Sequence, residues 1–460
     1  MKRMRSALLV VASWVLALSL PAAAATRPHY GGVLRVSVSA QLTRLEVSEP
    51  NASAAQQTVR DELLKLVYDR LTTLDDVGRV LPMLVTGWEH SPDFKRWTFV
   101  LRKNVELHDG SFLTAQDVVA SLSQPNAGWH LHSAGDSLVI ESDTSVPELP
   151  ELLASTRNSI MVRRGQITVG SGAFRVDTWQ AGRLATFVAH DNCWQGRPFL
   201  DAIQLQMGQP LTEQLLQVES RQTDVAEVPI PYAPRLQQGG SRVEFSSPQD
   251  LYGLLLAPGV SKDPRLRDAL SASIDRAAIE SIFLQKHGSA TAALIPQWIT
   301  GYAALFPAAR DLDRAQQLRH DLGNVPVLNL AYDNSDPLAR TIAERVALNA
   351  RDAGINLRPA PGDVSVQSTS DLKLLRLALP SANAALNLGD IAQQIGLQIG
   401  FNRELTDADL FQAESQLLKS QALIPLAHVA VGTAVSPRVR NWTTSPTGRW
   451  QFDNLWIEGR

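Results

Sequence analysis

Cysteine is almost absent: Cys193 stands alone in 460 residues, so no disulfide can form within the chain and no thiolate cluster can hold a metal. A basic block is also missing. The formal net charge is −3, and three of the 43 basic residues, Lys2, Arg3 and Arg5, sit at the extreme N-terminus, leaving −6 for the chain beyond residue 25. Mild acidity without a Lys/Arg stripe argues against nucleic acid as a partner. The longest apolar run, Ala7 to Leu20, has 14 residues, fewer than the roughly 20 that a membrane-spanning helix needs. No Asp-x-x-His occurs anywhere, which removes the acid–base pair a GDSL-type hydrolase would need beside Gly135-Asp136-Ser137-Leu138. A strand-edge turn accounts for those four residues.

The basic start, the apolar run and the small residues Ala22–Ala25 have the order of a secretory signal peptide, expected over residues 1–25 with cleavage between Ala24 and Thr26. No cysteine lies near that point, so a soluble periplasmic protein without a lipid anchor is expected. The remaining chain is too long for one ordinary core and predicts two or three lobes. Its 44% hydrophobic and 19% charged residues are those of a folded globular protein.

Between residues 88 and 121, Trp97, Phe99 and Leu101 alternate with Thr98 and Val100, the period of a half-buried strand. Asp109-Gly110 supplies a turn, and Thr114 with Asp117 three residues on caps the next helix. His108-Asp109 has the composition of a catalytic dyad, but neighbours in a turn point apart, and a structural role is expected. Ser53 and Gln56 make a capping box ahead of the stripe Val59, Leu63, Leu66, Val67, Leu71. Gly78 marks a hairpin over 74–81. Gly170-x-Gly172 is followed by neither a phosphate-binding helix nor a lysine, so it predicts a close-packed strand entry. Asp263-Pro264 and Asp336-Pro337 open helices. The first carries Leu266, Leu270 and Ile274, and Asp275 opens a further helix with Ile279, Ile282 and Phe283 inward. Strand 327–332, helix 337–353 and strand 355–357 form a β-α-β unit.

Four blocks, at 88–121, 169–201, 263–276 and 436–456, together resemble the family 5 extracellular solute-binding proteins, the peptide- and nickel-binding receptors of bacterial ABC importers. The resemblance implies an α/β, periplasmic-binding-protein-like (type II, Venus-flytrap) two-lobed mixed-sheet architecture with an extra small inserted lobe. Its expected divisions are lobe I at 27–49, 170–255 and 428–460, lobe II at 50–169 and lobe III at 256–427. It implies capture of a small solute, an oligopeptide or peptide-like compound, in the interlobe cleft and delivery to a membrane permease by a monomer, with no catalysis, cofactor or resident metal. Alternatives within the fold are nickel, haem or oligosaccharide binding, or a sensor presenting its ligand to a membrane partner. His130-x-His132 gives only two metal ligands and reads as an exposed strand edge.

Peptide-binding relatives place an acid in the third lobe against the ligand's ammonium group. The matching stretch, 377–390, has Asp390 as its only acid, displaced toward the end. Ligand contacts are expected from Tyr252 on a crossing strand, from Trp298 and Tyr302 after the 294–296 loop, and from Asn383 and Asn387 within an otherwise apolar segment.

Overall fold

The computed structural model describes residues 28–47, 54–123, 126, 128–365, 367–397, 405–420, 423–452 and 454–458. The signal segment, Ser53 of the capping box and Asp453 of the closing block lie outside the described residues.

The first core is built on a seven-stranded sheet. Its spatial order is Phe174–Gln180, Leu184–Ala189, Ala202–Gln206, Val33–Ser37, Val225–Glu227, Gly432–Val435, Arg242–Phe245. Strand Val33–Ser37 lies parallel to both neighbours, Ala202–Gln206 and Val225–Glu227. Leu34 and Val36 turn one face inward, against the Val59, Leu63, Leu64 and Val67 stripe of helix Ala54–Val67 and against Phe174, Phe187 and Leu205. Val439, Phe452, Leu455 and Ile457 close the same core from the C-terminal end. A boundary at residue 50 would give helix Ala54–Val67 to the inserted lobe. Its apolar stripe instead packs on the first sheet, and the inserted core begins at Leu71 and ends at Val169.

Gly170 and Gly172 explain how the chain returns from the inserted unit. A Cβ on Gly170 would stand 2.1 Å from the Val67 carbonyl oxygen, and one on Gly172 would stand 2.4 Å from that of Leu66. Only a bare backbone fits against the end of the helix. His108 fixes the approach: its Nε2 lies 3.0 Å from the Gly172 carbonyl oxygen, and the Gly170 amide donates to its Nδ1. Burial pushes this imidazole down to about 4. Asp109 points elsewhere, accepting from Ser111, so the pair is structural.

The inserted core rests on the sheet Val85–His90, Arg96–Leu101, Ser137–Ser142, Trp129–Ala134. Trp97, Phe99 and Leu101 are buried while Val100 is exposed, as the alternation predicts. The Thr114 hydroxyl accepts from the Asp117 amide while Asp117 accepts from the Thr114 amide and hydroxyl, a reciprocal cap. Gly135 (φ +63) and Asp136 turn a hairpin in which Ser137 pairs with Ala134. His130 and His132 are exposed on its outer strand.

The third core carries a six-stranded sheet, in order Gly288–Ala290, Leu423–Val429, Asp250–Leu256, Leu372–Leu377, Leu328–Tyr332, Leu357–Pro361. Asp263, Asp275 and Asp336 each cap a helix by accepting a backbone amide. Two expectations shift. Ile282 is exposed, while Ile279 is buried and Phe283, partly buried, packs against the same core from helix Arg276–Phe283. The last strand of the β-α-β unit starts at Leu357, because the Ile355 amide bonds back to the Ala350 carbonyl to close the preceding helix.

The chain crosses between the first and third sheets twice, at residues 246–249 and 430–431. Strand Asp250–Leu256 therefore lies in the third sheet, six residues before the boundary set by the sequence reading.

Candidate functional site

The three parallel strands Val33–Ser37, Ala202–Gln206 and Val225–Glu227 run in one direction, so their carboxyl ends share one edge of the first sheet. Strand Arg242–Phe245 ends on that edge too and feeds the first crossing. The third lobe is thus attached where an open α/β sheet forms its ligand crevice.

One wall of this crevice is closed by contacts within the protein. Buried Gln249 donates from Nε2 to the Leu379 and Ser381 carbonyls, and Trp298 donates from Nε1 to Pro248 O at 2.9 Å. Arg376 pairs with Asp250 at 2.8 Å and reaches Glu227 of the first sheet at 3.6 Å. Burial raises the Glu227 carboxyl, against the pull of Arg376. The Tyr252 hydroxyl donates to Asp336, and burial together with that carboxylate holds the phenol well above its ordinary range.

A polar seam forms where all three cores meet. Helix Ala54–Val67 brings Asp61, Glu62 and Lys65, the short 3-10 turn Thr156–Asn158 of the inserted unit brings Arg157, helix Ala384–Gln394 of the third lobe brings Asp390, and the C-terminal stretch brings Arg449. Asp61 accepts from Gln57 Nε2 at 3.0 Å and Thr156 Oγ1 at 2.7 Å. Glu62 accepts from Lys65 Nζ at 2.7 Å and from the Trp450 amide at 3.0 Å.

Asp390 and Arg449 differ from these neighbours. Among the described residues, the Asp390 carboxylate accepts no hydrogen bond, and the Arg449 guanidinium donates none, its Nε being buried without a partner. Each feels the other's charge, yet they form no ion pair. Burial, then the nearby Asp61 charge, pushes Asp390 up to about 7, with Arg449 and Arg157 opposing. Burial and the Arg449 charge lower Lys65 to about 8. Behind them Arg70, 6% exposed, has a buried Nε without a partner, and burial lowers its guanidinium.

The five residues expected to touch ligand are dispersed. Tyr252 lies in the third core, 1% exposed, with its hydroxyl on Asp336. Trp298 is 36% exposed beside the first crossing. Tyr302 packs against Phe306 and Phe411, and burial and the Glu414 carboxylate push its hydroxyl upward. Asn383 caps helix Ala384–Gln394 through the Leu386 amide, and buried Asn387 exchanges hydrogen bonds with the backbone of Ser381. Sequence reasoning missed Asp61, Lys65, Arg70, Arg157 and Arg449. One signal was present: Arg60, Asp61, Glu62 and Lys65 crowd a helix whose apolar stripe already faces a core. Among the described residues no three His, Cys, Asp or Glu side chains gather as a metal cage.

The family model for bacterial extracellular solute-binding proteins, family 5 middle, matches residues 79–375. The chain is 22% identical to heme-binding protein A of Haemophilus influenzae, across 86% of this chain and 87% of that protein. Two solved structures share the fold. The oligopeptide-binding protein AppA of Bacillus subtilis, in complex with a nonapeptide, superposes with a TM-score of 0.76 at 16% identity, covering 94% of this chain and all of that one. NikA of Brucella suis, in complex with Fe(III)-EDTA, superposes at 0.79 and 17% identity over 93% of this chain and all of its own. These likenesses make the fold the type II periplasmic-binding-protein architecture that the four sequence blocks imply.

Proposed function

Because the chain belongs to the family 5 bacterial extracellular solute-binding proteins, we propose that it is a periplasmic receptor that captures a small peptide-like solute between its first and third lobes and hands it to an ABC permease. The family is one of receptors, so the chemistry required is reversible burial. A ligand that bonds to both walls favours the closed arrangement over the open one and so draws the lobes together. The relatives named above carry haem, a nonapeptide and a metal chelate, so the ligand follows from this chain's own side chains.

One observation carries the reading: Asp390, from the third lobe, presents a carboxylate with no donor among the described residues at the seam where three cores converge. A ligand ammonium group supplies the missing donor, and a charge-assisted bond to it is stronger than one between neutral partners. Export through the N-terminal segment and action as a monomer complete the proposal.

The test is native mass spectrometry of protein purified from its own periplasm, followed by calorimetry of ligand-stripped protein with short peptides, nickel salts, haem and oligosaccharides. Binding of amine-bearing peptides, with small-angle scattering that contracts on their addition, is the expected result. Flat heats and an unchanged scattering profile with every solute, or chemical turnover of one of them, refute it.

A further inference from the structure

The neck between the first and third lobes has a strained loop on its flank. Gln285 and Lys286 follow helix Arg276–Phe283 with φ of 46° and 71°, a left-handed conformation that is unfavourable for any residue with a Cβ. Such strain persists only where the surroundings impose it. Its product here is the position of His287. The imidazole lies flat on Phe245, the last residue of the first-sheet strand Arg242–Phe245, with ring centroids 3.6 Å apart and planes 16° from parallel. The His287 carbonyl accepts from the Ala430 amide at 2.8 Å. One residue of the third lobe thus touches the start of the first crossing through its ring and the second crossing through its backbone. The fit leaves no slack: a Cβ on Gly288 would stand 2.5 Å from Leu284 Cδ1, and one on Gly432 would stand 2.7 Å from Phe245 Cε1. The lobes are drawn together in this arrangement, since a Cβ on Gly78 of the inserted unit would stand 2.7 Å from the Ala382 carbonyl oxygen of the third lobe.

We propose that His287 is the pivot of lobe closure: its neutral ring, stacked on Phe245, holds the third lobe against the first, and protonation of that ring loosens the neck and weakens the hold on the solute. The proposal rests on the receptor reading above and adds its regulation. Burial holds the imidazole below the ordinary histidine range. An imidazolium is attracted to a phenyl face, so the direction of that shift makes desolvation the stronger effect. Relative to an open arrangement in which the ring is hydrated, the stabilisation is complete above about pH 6.5 and falls as pH drops below it. Neighbouring charges do not offset this. On the adjoining elements Arg242 pairs with Glu244 at 3.1 Å, Glu280 accepts from the Ala290 amide, Arg276 donates to Pro425 and Ser271, and Lys286 is exposed. His428, whose carbonyl lies against Gly288, is pushed by burial down to about 4 and stays neutral over the same interval.

Small-angle scattering tests this on the full exported chain as purified from its own periplasm, at pH 7.5 and pH 5, with native mass spectrometry reporting the solute that stays bound. The quantity read is the difference between the parent and His287→Phe, which keeps the stack without the proton, because Asp390 titrates in both. The two are expected to match at pH 7.5. At pH 5 the parent is expected to be more expanded and less loaded than the variant, its affinity falling relative to the variant's by at most about tenfold per pH unit, the limit that one proton sets. His287→Ala is expected to be expanded at both values, and Lys286→Gly, which relieves the backbone and leaves the ring, to respond as the parent does. Thermal melts of every variant at both pH values separate parted lobes from lost folding. A parent and His287→Phe that stay alike at pH 5, or a His287→Ala variant as compact and loaded as the parent at pH 7.5, overturns the pivot and leaves the receptor reading standing. Absence of solute from every preparation removes the receptor reading, while a parent that still expands in acid beyond His287→Phe then keeps the pivot as a property of the lobes alone.

Discussion

Asp390→Asn should make the ligand-free protein more stable at pH 8 and leave it unchanged below pH 4. Burial and the Asp61 charge raise the carboxyl of Asp390 to about 7 in the folded protein, against an ordinary aspartate near 3.9 in the unfolded chain. A carboxyl raised on folding favours the protonated state. Its stabilising contribution is complete below pH 4, falls through the interval up to about 7, and is lost above it. Taken whole, that interval corresponds to about 4 kcal/mol. The residue is partly exposed, so solvent screening brings the expected cost of the ionised form to roughly 2 kcal/mol. Asparagine has the shape of the protonated acid and carries no charge, so it avoids this cost. For lobes of this size the difference corresponds to about 4–8 °C in melting temperature. Melting curves followed by circular dichroism from below pH 4 to pH 8.5, for both proteins, would show a gap that opens with pH and levels off above 7. A gap independent of pH, or a variant less stable than the parent at pH 8, would show that Asp390 is not held near its neutral form.

Gly172→Ala should lower stability by about 1–3 kcal/mol, as overpacking does, because the new Cβ meets the Leu66 and Val67 carbonyls; a thermal melt unchanged from the parent would contradict the close approach. Gly389→Ala should do the opposite. Gly389 lies inside helix Ala384–Gln394 with nothing within 4 Å of the added atom, so the gain in helix propensity, about 1 kcal/mol, is expected in urea titrations. Tyr252→Phe leaves Asp336 without its hydroxyl donor and should cost about 1–2 kcal/mol by the same titration. N-terminal sequencing of the exported protein should begin at Ala25 or Thr26.

Local features were legible because their causes are local. An aspartate before a proline caps a helix through its own next amides, a glycine at positive φ turns a hairpin, and Trp97, Phe99 and Leu101 face inward because a strand alternates. The lobe to which helix Ala54–Val67 belongs was not legible, since an apolar stripe states that a core exists without stating which one. The seam was hidden more deeply. Asp61, Arg157, Asp390 and Arg449 come from four distant segments, and their convergence is set by the two crossings. Asn383 and Asn387 showed the converse difficulty: a polar residue in an apolar run marks a helix cap as readily as a ligand contact.

The crossings have a structural corollary. Phe245 pairs with Gly432 on one side of the junction and Asp250 with Val429 on the other, so the third lobe enters and leaves through a narrow two-stranded neck with its ends side by side. Such a unit is an exchangeable module: residues 246–431 could be transplanted into a homologue of the same architecture with two short joints. The recipient would then carry this chain's third-lobe side of the junction against its own first-lobe side, and the chimera's preference among ligands would report which side dominates recognition.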